Sequence, residues 1–174
     1  MHTSSSLYIG MMSGTSLDGI DAVLAELSPD GQTQLRGAVS APFAPPLRDA
    51  LLALQTPGEN EIHREHLAAN ALAMAYAGLV KQLLADSKRQ PSDITAIGAH
   101  GQTIRHQAGS NNALAYTHQT LNPALLAELT SIDVIADFRS RDLAAGGHGA
   151  PLVPAFHAQQ FAIDKNTAVL NLGG

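Results

Sequence analysis

Apolar positions fall into short blocks at the start of the chain and one long periodic stretch near its middle. Leu7, Tyr8 and Ile9, then Ala22, Val23 and Leu24, flank a polar, glycine-containing segment, which is the pattern of a β-hairpin. Residues 34–39 predict a third strand, entered through a turn at Pro29, Asp30 and Gly31. Pro42, Pro45 and Pro46 then stop strand pairing. Residues 47–54 predict a short helix with Pro46 suited to its first turn, ended by Pro57 and Gly58. Residues 61–86 predict the long helix, with Leu67, Ala71, Met74, Ala75, Gly78, Leu79 and Leu83 on one stripe at helical spacing. Met74 there is expected to fill core space rather than to bind a ligand.

Pro91 breaks the helical pattern, and residues 94–99 predict a strand ending in His100, Gly101, Gln102 and Thr103. A short strand is expected at 113–117, then a helix at 123–129 capped by Asn122 with Pro123 at its first position. Residues 132–136 predict the next strand, which delivers Asp137, Phe138 and Arg139. A glycine-rich loop at 145–151, a helix at about 153–161 and a closing strand at 167–172 complete the order. Three strands in a meander, then alternating helices and strands, imply an α/β domain whose mixed sheet is mostly parallel after the meander, with helices on its faces. That order matches the ribonuclease H-like layout.

Composition narrows the function classes. The 174 residues suit about one domain with a sizeable core. With 45% hydrophobic and 14% charged residues the chain is globular rather than disordered. A net charge of -5 with only 10 Lys+Arg offers no basic patch, so nucleic acid is not an expected partner. The absence of cysteine excludes disulfides, thiol catalysis and cysteine-based zinc sites. The N-terminal segment has no cationic start followed by a long apolar core, and the longest apolar run, 71–80, is too short and too alanine-rich to span a bilayer. No membrane partner and a cytoplasmic location are the resulting expectations, and homodimerisation is left open.

Four clusters compete to carry chemistry. The hairpin turn Gly14, Thr15, Ser16, Leu17, Asp18, Gly19, Ile20 and Asp21 holds more side-chain oxygen than a turn needs. Its glycines allow close backbone approach to a ligand, its amides can form an anion-binding nest, and Asp18 and Asp21 could hold Mg²⁺. The alternative is a polar hairpin without a ligand. The turn fits neither a Walker loop nor a dinucleotide fingerprint. His100, Gln102, Arg105 and His106 follow a strand end, where open α/β sheets place ligands. Polar substrate contact, a histidine metal pair and a structural role all remain open for them. Asp137, Arg139 and Asp142 follow another strand end, and an arginine fork there suits a carboxylate or phosphate, or else an ion-paired surface. His63, Arg64, Glu65 and His66 lack zinc-protease spacing and are expected to form a solvated helix face, while His148 and its neighbouring glycines serve the backbone path.

Several of these runs together resemble one family. Residues 9–21 are similar to the N-terminal signature of anhydro-N-acetylmuramic acid kinases, as are 97–106, 136–142, 144–157 and the closing Leu170, Asn171, Leu172, Gly173 and Gly174. The family usually carries a Gln-Ile-Gly before an Asn-Pro where this chain has Thr117, His118, Gln119, Thr120, Leu121, Asn122 and Pro123. It also continues past the Asn-Leu-Gly-Gly strand into a second domain that holds its catalytic aspartate. The resemblance implies the actin and sugar kinase superfamily, with residues 1–174 as the first of two ribonuclease H-like lobes and the second absent from this chain. It implies ATP and Mg²⁺ as cofactors, an amino sugar as substrate and phosphorylation coupled to opening of the 1,6-anhydro ring in cell-wall recycling. The hairpin residues Gly14 to Asp21 would then hold the nucleotide phosphates, with Asp18 and Asp21 near the metal. His100, Gln102, Asp137, Arg139 and Asp142 would face the sugar, and no catalytic base is expected among these residues, so the isolated chain should be inactive. Two rival readings are a non-catalytic sugar- or nucleotide-binding lobe and a metal-dependent hydrolase using His100 and His106.

Overall fold

The computed structural model describes residues 5–108, 115–161 and 168–170. Strands β1 (Ser6–Ser13), β2 (Ile20–Leu27) and β3 (Thr33–Ala41) form an antiparallel meander, with Ser13 paired to Ile20 at the hairpin end and Ile20 to Ala41 on the next strand. Helix α1 (Pro45–Ala53) starts with two prolines in its first turn, where a missing N–H costs nothing. Helix α2 (Glu61–Ser87) then crosses the sheet, and a single 3-10 turn at Pro91–Asp93 leads into β4 (Ile94–Ala99). Strand β4 lies parallel to β1. Strands β5 (Gln102–Gln107) and β6 (Tyr116–Thr120) pair with each other as a separate two-stranded sheet. Helix α3 (Pro123–Thr130) is capped by the Asn122 side chain, which accepts the Leu125 amide at 3.0 Å as its residue type predicts. Strand β7 (Val134–Ile135) is parallel to β4, giving a mixed five-stranded sheet in the order β3-β2-β1-β4-β7. Helices α4 (Ser140–Ala144) and α5 (Pro154–Gln160) follow.

The period-2 rule sorts the sheet residues. Ile9 and Met11 on β1, Ile20, Ala22 and Leu24 on β2, and Ile97 and Ala99 on β4 are buried in one core with α1, α2 and α3. The opposite face carries Tyr8, Gly10, Val23, Ala25 and Leu27, which line an open apolar groove beside Phe156 of α5.

Several expectations change. The buried face of α2 comprises Glu65, Ala68, Ala69, Leu72, Ala73, Tyr76, Ala77, Leu79, Val80, Leu83 and Leu84, so the predicted stripe is rotated. Leu67 and Met74 are more than half exposed and border a groove against α1, so Met74 does not fill the core. Alanine occurs all round this helix, so apolar spacing alone did not fix which side faces inward. By length and composition α2 is also apolar enough to cross a membrane, unlike its shorter run 71–80, but over half of that window is buried against the rest of the fold, as in a core helix. The predicted strand at 132–136 shrinks to two residues, and the strand expected at 113–117 is β6, shifted to Tyr116–Thr120, with 113 and 114 outside the described residues. The stretch from His100 was read as a strand end, yet Gln102 onward is β5; only pairing with β6 makes so polar a segment a strand. Of the closing strand at 167–172, residues 168–170 have no regular structure and the others lie outside the described residues.

Candidate functional site

Because β1, β4 and β7 run parallel, their C-terminal ends share one edge of the sheet. The turn after Ser13, the turn at His100 and Gly101, and the segment from Ala136 therefore meet there, where open α/β sheets bind ligands. Three of the four predicted clusters are brought together in this way.

The hairpin turn is closed by the Leu17 amide donating to the Gly14 carbonyl at 3.1 Å. Leu17 is buried with φ at +54°, so its apolar side chain is inserted below the turn while Thr15, Ser16 and Asp18 face out. Asp18 accepts from Ser16 Oγ at 2.9 Å, and Asp21 accepts from Ser40 Oγ at 2.5 Å. Both carboxylates line one open cavity of about 380 Å³ with Gly19, Ser40 and Pro42. A Cβ at Gly19 would stand 2.8 Å from the Ala41 carbonyl oxygen, which explains a glycine at that point.

The turn is tied to β4 and β5 from below. Ser13 Oγ donates to the Gly101 carbonyl at 3.2 Å and accepts from the Tyr76 hydroxyl at 3.0 Å. Burial pushes the Tyr76 phenol up to about 12, against the opposing effect of its hydrogen bonds, so it stays protonated as a donor. Gln102 is completely buried, with Nε2 donating to the Gly14 carbonyl at 3.0 Å. It does not line a cavity wall as a sugar contact would.

His100 sits between two partners. Its Nδ1 lies 2.7 Å from the Gly101 carbonyl, and its Nε2 accepts from Arg139 Nε at 2.9 Å. Those partners require a neutral ring protonated on Nδ1. Burial holds the His100 pKa below the ordinary histidine value, and the Arg139 charge pushes the same way against the Gly101 hydrogen bond. Arg139 also donates to the Gly149 carbonyl at 2.6 Å, and Asp142 Oδ2 accepts the Gly149 amide at 2.7 Å. Arg139 and Asp142 thus clamp the 145–151 loop from both sides. Asp137, at φ +54°, accepts the Ser140 amide at 3.2 Å and joins His100, His118, Gln119 and Ser140 around a polar cavity of about 220 Å³.

The histidine metal pair does not survive. Both His100 ring nitrogens are engaged, His106 Nδ1 pairs with Thr117 Oγ1 at 3.0 Å, and no group of three or more His, Cys, Asp or Glu suited to a metal occurs among the described residues. Arg105 is structural too, bonded to Glu61 at 2.7 Å and to the Leu54 carbonyl.

The sequence pattern of anhydro-N-acetylmuramic acid kinases matches residues 6–174, nearly the whole chain and every element of this site. The chain belongs to the anhydro-N-acetylmuramic acid kinase family. A relative of that name from Variovorax paradoxus (strain S110) is 59% identical over 169 residues, covering 97% of this chain and 45% of its own length. One from Cupriavidus metallidurans is 56% identical over 172 residues, covering 98% and 45%, and one from Bordetella pertussis is 56% identical over 174 residues, covering 99% and 44%. The chain thus spans a little under half the length of these family members.

One site element escaped the sequence reading of this family member. Glu65 was expected on a solvated face but is buried, accepting from Thr120 Oγ1 at 2.5 Å, His66 Nδ1 at 2.5 Å and His118 Nε2 at 3.3 Å. Burial raises its pKa, but the three donors outweigh that and hold it below the ordinary glutamate value. It thereby anchors β6, which carries His118 and Gln119 into the polar cavity. Its position one turn from Glu61 on α2 gave no signal, because Thr120 lies 55 residues away in sequence.

Proposed function

We propose that residues 1–174 form the first, ribonuclease H-like lobe of a kinase that converts 1,6-anhydro-N-acetylmuramic acid and water to N-acetylmuramic acid 6-phosphate in cytoplasmic cell-wall recycling. The observation that carries this reading is the shared end of the sheet: an exposed hydroxyl-rich turn with two carboxylates on one cavity and a second polar cavity at His100 and Asp137 both open at the end where β1, β4 and β7 finish. The strand order β3-β2-β1-β4-β7 supports the lobe assignment within the actin and sugar kinase superfamily.

The residues fit a metal-bound nucleotide. Thr15 and Ser16 present amides with no internal partner among the described residues, and two carboxylates lining one open cavity, each bonded to a serine hydroxyl, form an oxygen donor set suited to Mg²⁺ and its waters. When bound, Mg·ATP supplies the phosphoryl group and the charge neutralisation that such transfer requires. The chain's own contribution is placement. The turn from Gly14 to Asp21 orients phosphates, Asp18 and Asp21 face the cation, and Asp137 with His100 faces the sugar hydroxyls. Arg139 and Asp142 act on the sugar wall by holding the 145–151 loop. The base that activates water is assigned to no residue of this chain.

Calorimetric titration of the chain with Mg·ATP and, separately, with the anhydro sugar tests the reading. Heat is expected with Mg·ATP, and Asp18→Asn together with Asp21→Asn should abolish its Mg²⁺ dependence. A coupled ADP-release assay of the chain with both substrates should show no turnover. Absence of heat with either ligand at millimolar concentration, or full turnover by this chain, would refute it.

A further inference from the structure

The Gly14 carbonyl does two jobs: it closes the turn by accepting the Leu17 amide and it receives the Gln102 side chain. Gln102 is fully buried at the first position of β5, and its Oε1 has no hydrogen-bond partner among the described residues. Turning the amide over would set Oε1 against the Gly14 oxygen, acceptor to acceptor, so the chemistry fixes Nε2 toward the turn. A buried amide with an unpaired acceptor is a poorer core residue than leucine or methionine of similar volume. What it supplies in return is a rigid tether from β5 to the one carbonyl that defines the turn. Leu17, held in the left-handed region with its side chain buried, needs such a tether to keep Thr15 and Ser16 outward.

We propose that Gln102 is a positioning residue that sets the Gly14–Leu17 turn for phosphate recognition, acting through the Gly14 carbonyl without touching a ligand. It rests on the reading of that turn as a phosphate site. The Ser13–Gly101–Tyr76 hydrogen bonds fix the strand end beneath and Ser40 holds Asp21 at the far end of the turn, whereas among the described residues Gln102 is the side chain from outside the turn that bonds its Gly14–Leu17 backbone.

The test uses the chain as it stands, isotopically labelled, with Gln102→Leu and Gln102→Glu. Gln102→Leu keeps the volume and removes the donor. Its Leu17 amide should exchange at least about tenfold faster while Leu24 and Ile97 stay within twofold, and its Mg·ATP affinity should fall at least about tenfold with sugar affinity unchanged. Gln102→Glu can donate to Gly14 only when protonated, so the ratio of its Mg·ATP Kd to that of the parent should approach one as pH falls from 8 to 5.5. Because an ionised buried carboxylate could also loosen the whole fold, Leu24 and Ile97 exchange is followed across the same pH range and should stay within twofold of the parent while Leu17 exchange tracks pH. Unchanged Leu17 exchange, unchanged nucleotide affinity, or a pH-independent ratio overturns the proposal. If Gln102→Leu loses protection throughout the core, Gln102→Glu decides. If the parent chain gives no heat with Mg·ATP, the phosphate reading fails, and the Leu17 exchange rate decides the tether by itself.

Discussion

Glu65→Ala removes a buried carboxylate that joins α2 to β6, and its cost can be worked from the three bonds it receives. The Thr120 bond is charge-assisted and both groups are buried, so it is worth about 1.5–3 kcal/mol. His66 and His118 are largely exposed, with side chains 77% and 53% accessible, so their pairs with Glu65 add little. Truncation also leaves the Thr120 hydroxyl buried without that acceptor. A total loss of about 2–3 kcal/mol follows, equivalent to about 4–12 °C in Tm for a chain of this size. Thr120→Val should cost about 1 kcal/mol, because the carboxylate keeps its histidine donors. The double variant should fall short of the sum by about 1 kcal/mol, since no hydroxyl is then stranded. The sign with pH follows from a folded pKa below the unfolded one: the stabilisation is complete above the unfolded value and disappears as pH falls through the folded value. The gap between parent and Glu65→Gln should therefore narrow below about pH 4.5. Urea denaturation followed by far-UV circular dichroism, at several pH values, measures all of this. A Glu65→Ala loss under about 0.5 kcal/mol, or strict additivity with Thr120→Val, would show that the network does not hold β6.

Leu126 of α3 is completely buried, so Leu126→Ala should lower stability by about 2–5 kcal/mol, read as a lower urea midpoint with unchanged slope. Gly101→Ala meets two obstacles, a φ of +73° and the Thr120 carbonyl oxygen 2.8 Å from the new Cβ. At least about 1 kcal/mol should be lost in the same assay. His100 should titrate below the ordinary histidine value, so the stability it contributes is full above about pH 6.5 and declines as pH falls through its folded value. Proton NMR of the ring gives the midpoint directly, and Arg139→Gln should move it upward; a midpoint at or above the ordinary value would refute the buried neutral ring.

How far the sequence reached differs from element to element. The meander was legible because its strands are short, apolar and separated by turn residues, and the Asn122 cap because capping is a contact three residues long. The inward face of α2 was not, since alanines on every side give period 3.6 little to select. β5 was missed because Gln102, Thr103, Arg105 and His106 carry no strand signature of their own. Among site residues, the turn from Gly14 to Asp21 was named correctly as a hairpin turn, and the cluster at His100, Asp137, Arg139 and Asp142 correctly as following strand ends. How they are held was not legible: Gln102, Arg139 and Asp142 bond to backbone, and Glu65 was placed on the wrong side of its helix.

By itself, the sequence determined the α/β class with its opening meander, the chemistry available at the strand ends and the family, because these depend on local periodicity, turn residues and ordered motifs. The tertiary structure alone decided which of those groups face a cavity and which are spent as struts. A hydrogen bond such as Gln102 to Gly14 or Thr120 to Glu65 joins residues 88 or 55 positions apart, and no local pattern records which long-range pair the packing will close.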